Sequence, residues 1–197
     1  GRRYANYAYD AQDRGILTEH AGGAQKYTLQ HEGNYTLVTD PYGTQQQYNK
    51  SLLAGAVRVV DRRRAGVVQN NNQYDQAGNI TQKIEKGLTT KYTYDLSRNL
   101  ETSRTEAVGT AQERVIETTW HTDFSKPVQI KESASGVVVK ITDYSYDDRS
   151  NVISKTITDP VTQQSRTWRY EYNPHSQLTK ETNPLGQTTT YAYDPNR

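Results

Sequence analysis

A phrase of tyrosine, any residue, tyrosine and an acid or amide is spelled five times in this chain. It reads YAYD at 7–10, YTYD at 92–95, YSYD at 144–147, YEYN at 170–173 and YAYD at 191–194. Aligning on the last letter, with looser copies at Tyr74-Asp75 and Trp120 to Asp123, gives anchors at Asp10, Asp75, Asp95, Asp123, Asp147, Asn173 and Asp194. From Asp75 onward the gaps are 20, 28, 24, 26 and 21 residues. A period of this length marks a repeat array, in which one supersecondary unit recurs. The tyrosines fall in alternating pairs: Tyr7 and Tyr9, Tyr92 and Tyr94, Tyr144 and Tyr146, Tyr170 and Tyr172, Tyr191 and Tyr193. Period two places each pair on one face of a strand. The acid or amide that follows starts a turn, because its side chain accepts hydrogen bonds from backbone N–H groups just ahead. An apolar residue five positions on (Ile80, Leu100, Val128, Val152, Leu178) opens the returning strand. Each unit therefore reads as a β-hairpin, and the chain as an all-β stack of antiparallel hairpins whose shared faces are built from Tyr and Thr.

Within the turns, Gly78 in DQAGN suits a positive φ. At the aligned position, or one beyond it for Pro127, the other units carry Arg98, Pro127, Ser150 and Ser176. Either the following Asn takes the positive φ, or the turns differ between units. The strong copies occupy 74–197. A degenerate stretch over 1–73, including DPYGTQQQYN at 40–49, holds further units of one continuous array. Segments such as TDPVTQQSRTWRY and TNPLGQTTTY read as links between hairpins, with Asp-Pro, Asn-Pro and Gly marking turns. The best helical window, 111–119, suits a strand equally well.

Composition agrees with strands over disorder. Leu, Ile, Val and Phe make up only 33 of 197 residues, but there are 16 Tyr and the net charge is +2. Disordered chains are poor in aromatic and β-branched residues and high in charge. The near-neutral balance speaks against nucleic acid as a partner. The run Arg62-Arg63-Arg64 could touch phosphate; as a surface loop or the guard of a sheet edge it needs no ligand. No apolar run approaches the length of a membrane span. There is no Cys and no Met, which excludes disulfides and thiolate chemistry. The ends fall mid-phrase, so a piece of a longer protein is expected, with raw sheet edges prone to edge-to-edge self-association.

YTYDLSRNL, YSYDDRSNVISKTITDP and YEYNPHSQLTKETNPLGQTTTYAYD resemble the YD repeats of the RHS family. Over 170–194 the family phrase is matched in register by Leu178, Pro184, Gly186, Thr189, Tyr191, Tyr193 and Asp194. The resemblance covers 74–197 well and 4–73 loosely. It implies an arc of a β-sheet strip that spirals into a hollow shell. In bacterial members such a shell encloses a C-terminal toxin delivered by type VI secretion or a toxin-complex channel; in teneurins a related shell belongs to an adhesion receptor. The partners implied are the rest of the shell, an enclosed toxin, and a secretion spike or toxin-complex component, in a secreted parent. The family's aspartyl self-cleavage region has no counterpart here, so no catalytic residue is carried over.

The residues themselves add no competing chemistry. One aspartate per unit is spaced as punctuation, whereas a glycosidase needs two carboxylates converging across a sugar. His20, His31, His121 and His175 have no metal-ligand spacing, and no cofactor motif appears. A non-enzymatic structural role is expected. The second reading is an adhesion or carbohydrate-binding array, with Trp168 and Tyr170 stacking on a sugar.

Overall fold

The computed structural model describes residues 4–194, and among them every regular element is a β-strand. The chain divides into two compact units, residues 1–91 and 92–197, the division falling inside the ninth strand. In the first unit the strands are β1 (Ala5–Tyr9), β2 (Gly15–His20), β3 (Tyr27–His31), β4 (Tyr35–Thr39), β5 (Gln45–Leu53), β6 (Ala56–Arg64), β7 (Val67–Tyr74), β8 (Ile80–Glu85) and the first half of β9 (Leu88–Asp95). The second holds β10 (Leu100–Glu106), β11 (Arg114–Trp120), β12 (Pro127–Ala134), β13 (Val137–Tyr146), β14 (Val152–Asp159), β15 (Gln164–Tyr172), β16 (Leu178–Thr182) and β17 (Thr188–Thr190). Within each unit consecutive strands pair antiparallel, so each is a meander without crossovers. The window 111–119 is no helix: 111–113 complete a turn, and Val115, Ile116, Thr118 and Thr119 stand in β11, where β-branched side chains fit the pleat.

Two kinds of turn make most of the reversals. In the first, an anchor's N–H donates to the carbonyl four residues on, and the residue at anchor+3 donates back. Asp147 does this with Asn151 and Ser150, at 3.0 and 2.9 Å. Its Oδ1 also accepts from the N–H groups of Arg149 (3.0 Å) and Asn151 (2.8 Å). This is a type I turn followed by one left-handed residue, a common three-residue hairpin loop. The same bonds recur at Asp10, Asp40, Asp75, Asn173 and Asn183. The left-handed place is taken by Asp13, Gly43, Gly78, Ser176 and Gly186. The open question about Gly78 thus resolves into two geometries: Ser150 (φ 62°) and Ser176 (φ 59°) adopt the positive φ themselves, while the Asp95 turn is one residue longer and hands it to Asn99 (φ 55°). The second kind is a two-residue turn with both residues at positive φ: Ala54-Gly55, Ala65-Gly66, Lys86-Gly87 and Ser135-Gly136. That is the hairpin turn whose twist matches the flanking strands.

Two sequence expectations change. Arg62, Arg63 and Arg64 form neither a loop nor an edge: they end β6, which is paired with β5 on one side and β7 on the other. Strand alternation sends Arg63 to one face, against Asp61 at 2.9 Å, and Arg62 and Arg64 to the other. Of the two proline segments expected to be links, TNPLG at 182–186 builds the anchored turn on the opposite edge, as TDPYG at 39–43 also does, with proline at the second position, where a fixed φ near −65° fits. The other, after Asp159, is a longer turn: Asp159 Oδ1 accepts from the N–H groups of Val161 (2.9 Å) and Thr162 (3.1 Å), and Gln163 takes the positive φ.

Among the described residues no second layer covers the sheet within either unit, and burial is correspondingly shallow. Among the described residues the only apolar side chain classed as buried is Ile116, 7% exposed, and Thr142, at 4%, is the most enclosed of all. Directly paired residues share a face. The row Thr118, Ile130, Thr142, Ile157 therefore lies on one side of the second unit, next to Ile116. The other side carries hydroxyls that bond across strands: Ser145 to Ser154 (2.8 Å), Thr156 to Thr167 (3.0 Å) and Thr158 to Ser165 (2.9 Å).

Candidate functional site

The repeat residues converge on one edge of the second unit, where the turns at 95–99, 121–126, 147–151 and 173–177 follow one another. The turn near 123 is anchored two residues earlier than the sequence alignment placed it. His121 donates its N–H to Lys126 O (2.9 Å), and its Nδ1 accepts from the N–H of Asp123 (3.1 Å). The imidazole nitrogen does what Asp147 Oδ1 does, so Asp123 is a donor within the turn. The turn expected at Asp194 runs into residues outside those described.

Cations bridge these turns in series. Arg98 donates to the carbonyls of His121 (2.5 Å) and Phe124 (2.9 Å) in the next turn. Lys126 donates to Ser150 O (2.5 Å), and Arg149 to Pro174 O. Asn151 adds a bond to Ser176 Oγ at 3.1 Å. Turn carbonyls that would otherwise face water thus receive a charged donor from the preceding hairpin. No expectation from sequence included this. Its only signal was one basic residue within or beside each turn, at changing positions.

The second aromatic of the phrase has a polar task as well as a packing one. Tyr146 Oη donates to Pro127 O (2.7 Å), Tyr74 Oη to Val59 O (2.8 Å), Tyr193 Oη to Leu178 O (2.8 Å) and Trp120 Nε1 to Glu101 O (2.8 Å). In each case the acceptor is a carbonyl of the preceding strand. His121 and Phe124 stack at 4.4 Å, and both meet Tyr146 edge-on, at 6.0 and 6.5 Å. Burial pushes the Tyr146, Tyr170 and Tyr172 phenols up from their ordinary range. The tyrosine pairs are not uniformly shielded. Tyr7 and Tyr9 are 65% and 63% exposed, Tyr191 and Tyr193 40% and 44%, because no layer lies over the sheet. Tyr92 and Tyr94 are half-buried.

The anchor carboxylates are consumed by their turns. Asp147 is held below the usual carboxylate range first by the Asn151 side-chain amide, and Asp75 first by the Asn79 N–H. For Asp95 the first cause is the Ser97 hydroxyl, and for Asp10 the Arg14 N–H. No group of three metal-ligating side chains occurs among the described residues. Trp168 and Tyr170 share a face with Tyr144. Lys155, opposite both Tyr144 and Trp168, holds its ammonium 5.7 Å from the Trp168 ring centre. A groove of about 450 Å³ lies over β10–β12, floored by Ile116, Ile130 and Trp120. Arg114 and Lys140 (2.9 Å) pair with Glu132 on its rim.

Residues 172–197 match the family model described as RHS Repeat. That segment carries RHS repeat sequence. The matched segment begins at the last tyrosine of YEYN and contains the Asn173 and Asn183 turns. The earlier RHS-like units at Asp75 and Asp147 share the turn geometry of that segment. No curated protein matches in sequence. Among solved structures, a crystal structure of TcdB2-TccC3 aligns over 91% of this chain and 12% of its own, at 15% identity and a TM-score of 0.49. The Tc holotoxin pore of Photorhabdus luminescens, carrying a TccC3 mutation, aligns over the same shares at 12% identity and 0.35. A porin-like protein from Bacteroides uniformis aligns over 91% and 81%, at 11% identity and 0.32. The chain thus spans about one eighth of the length of the first two.

Proposed function

We propose that this chain is a structural segment of an RHS shell, one that encloses a toxin and isolates it until delivery by a toxin-complex channel or type VI secretion. The observation that carries the reading is the consumption of the repeated acids: the turns at Asp10, Asp40, Asp75, Asp147, Asn173 and Asn183 each spend their carboxylate or amide on backbone N–H groups. These repeated side chains are thus committed to maintaining the sheet, as the residues of a container wall would be. The RHS repeat match supports the same reading. The chain itself then needs no catalytic residue, and its partners are further repeats and the enclosed polypeptide.

Limited proteolysis of the full-length protein that carries this array tests the proposal. A region outside the array should resist protease while the array is intact, and become cleavable when paired substitutions such as Asp147→Ala and Asn173→Ala open the turns. Equal cleavage rates in both proteins would sink the containment reading. Turnover of a polymer that is lost in a folded Asp95→Asn variant would replace it with an enzymatic one.

A further inference from the structure

The first unit separates its charges by face. Tyr48 pairs with Arg62, Arg62 with Asn70 and Asn70 with Glu85, so all four side chains project to one side, with Arg64 two residues further along β6. Lys50 joins them, its Nζ 2.8 Å from the hydroxyl of Thr36, the residue opposite Tyr48. Arg58 lies over the Tyr74 ring at 5.7 Å, and Lys83 stands opposite Asn72. Four cations, Lys50, Arg62, Arg64 and Lys83, therefore face one carboxylate, Glu85, which Lys83 already pairs at 2.6 Å; Arg58, opposite Ser51, leaves β6 on the other side. On the other face of these strands Asp61 and Arg63 neutralise each other, and Asn49 bonds Asp61 at 2.7 Å. Among the described residues neither Arg62 nor Arg64 forms a side-chain hydrogen bond or ion pair. The chain's net charge of +2 hides this segregation.

We propose that this face docks an extended acidic polypeptide segment carrying Asp or Glu at alternate positions. Arg62 and Arg64, on one face of a strand, are separated by two residue rises, about 6.6–6.8 Å. An extended peptide repeats its same-side carboxylates at that spacing, and each guanidinium fork accepts one carboxylate in a bidentate pair. Single-stranded nucleic acid fits less well. It requires free aromatic faces for its bases, whereas Tyr74 is covered by Arg58, and Tyr48 is half-buried with its hydroxyl 3.2 Å from Gln46 Oε1.

The test is titration of the whole 197-residue chain with a fluorescent eight-residue peptide alternating Glu and Thr, followed by anisotropy. The comparison probes are a peptide of the same composition with its Glu residues in one block, and an eight-nucleotide oligothymidylate. The alternating peptide is expected to bind saturably. The Arg62→Gln/Arg64→Gln variant should weaken it about tenfold or more, as for the loss of two charge-assisted bonds. Glu85→Gln should tighten it, and Lys91→Gln, on the opposite face, should leave it unchanged. Circular dichroism checks the fold; if the double variant unfolds, Arg64→Gln alone, at an exposed position, serves in its place. Absence of saturable binding, equal loss in Lys91→Gln, equal binding of the block peptide or tighter binding of oligothymidylate would each overturn the proposal.

Discussion

Gly78 shows how one residue serves a turn and its neighbour together. Its φ is +83°, and a Cβ there would meet the Arg58 guanidinium at 2.6 Å. Gly78→Ala is expected to cost about 1–2 kcal/mol from the left-handed backbone, plus whatever Arg58 loses when displaced from Tyr74. Chemical denaturation of Gly78→Ala, Arg58→Ala and the double variant measures that coupling. A coupling near zero would mean that Arg58 moves aside freely. The anchors set a second expectation. Asp10, Asp75, Asp95, Asp147 and Asp159 all have depressed folded pKa values, held down by turn donors. Their contribution is present above the unfolded Asp value of about 3.9 and is lost as pH falls through the folded values. Melting temperature should therefore drop on acidification below about pH 4. Asp147→Asn should flatten that drop and be tolerated at neutral pH, since Asn173 and Asn183 already serve as anchors. Asp147→Ala should lower the melting temperature at neutral pH. Equal losses in the two variants would show that the accepting oxygen is not what matters.

At the scale of the element, hairpins in the second unit are joined at their turns as well as along their strands. Arg98, Lys126 and Arg149 each satisfy a carbonyl of the next turn along the edge. Bonds to a charged donor are worth about 1.5–3 kcal/mol where shielded, and less at an exposed edge. Replacing all three by Gln should speed amide exchange at the turns 121–126, 147–151 and 173–177 and leave the strand centres of β13 and β14 little changed. Uniform acceleration throughout the unit would instead assign these cations to global stability. The turn anchors at Asp75, Asp147 and Asn173 were legible in the sequence, because an Asx side chain acts on its own backbone within four residues. The cation bridges were not: their partners lie 23–26 residues away, and any exposed Arg or Lys looks alike in one dimension. His121 was missed for a related reason, since an imidazole nitrogen standing in for a carboxylate breaks the letter pattern and keeps the geometry.

For the molecule as a whole, each unit is a meander whose contacts run to sequence neighbours, so stability should build up locally along the array. The most enclosed apolar position is Ile116, and Ile116→Ala is expected to cost about 2 kcal/mol, the low end for such a truncation because the site is only one layer deep. Hydrogen exchange should then rise in β10–β12 before β15–β17. A simultaneous rise across the second unit would show one cooperative block in place of an additive array. The sequence by itself determined the all-β class, the hairpin period and most turn anchors. Those depend on strand alternation and on side chains bonding to their own nearby backbone. Tertiary structure decided which face each residue occupies, that Arg62–Arg64 sit in a doubly paired strand, that the proline segments at 39–43 and 182–186 and the anchors build one turn on opposite edges, and which cations bridge turns. Facing and register depend on bulges and loop lengths, and one residue more or less reverses every side chain that follows.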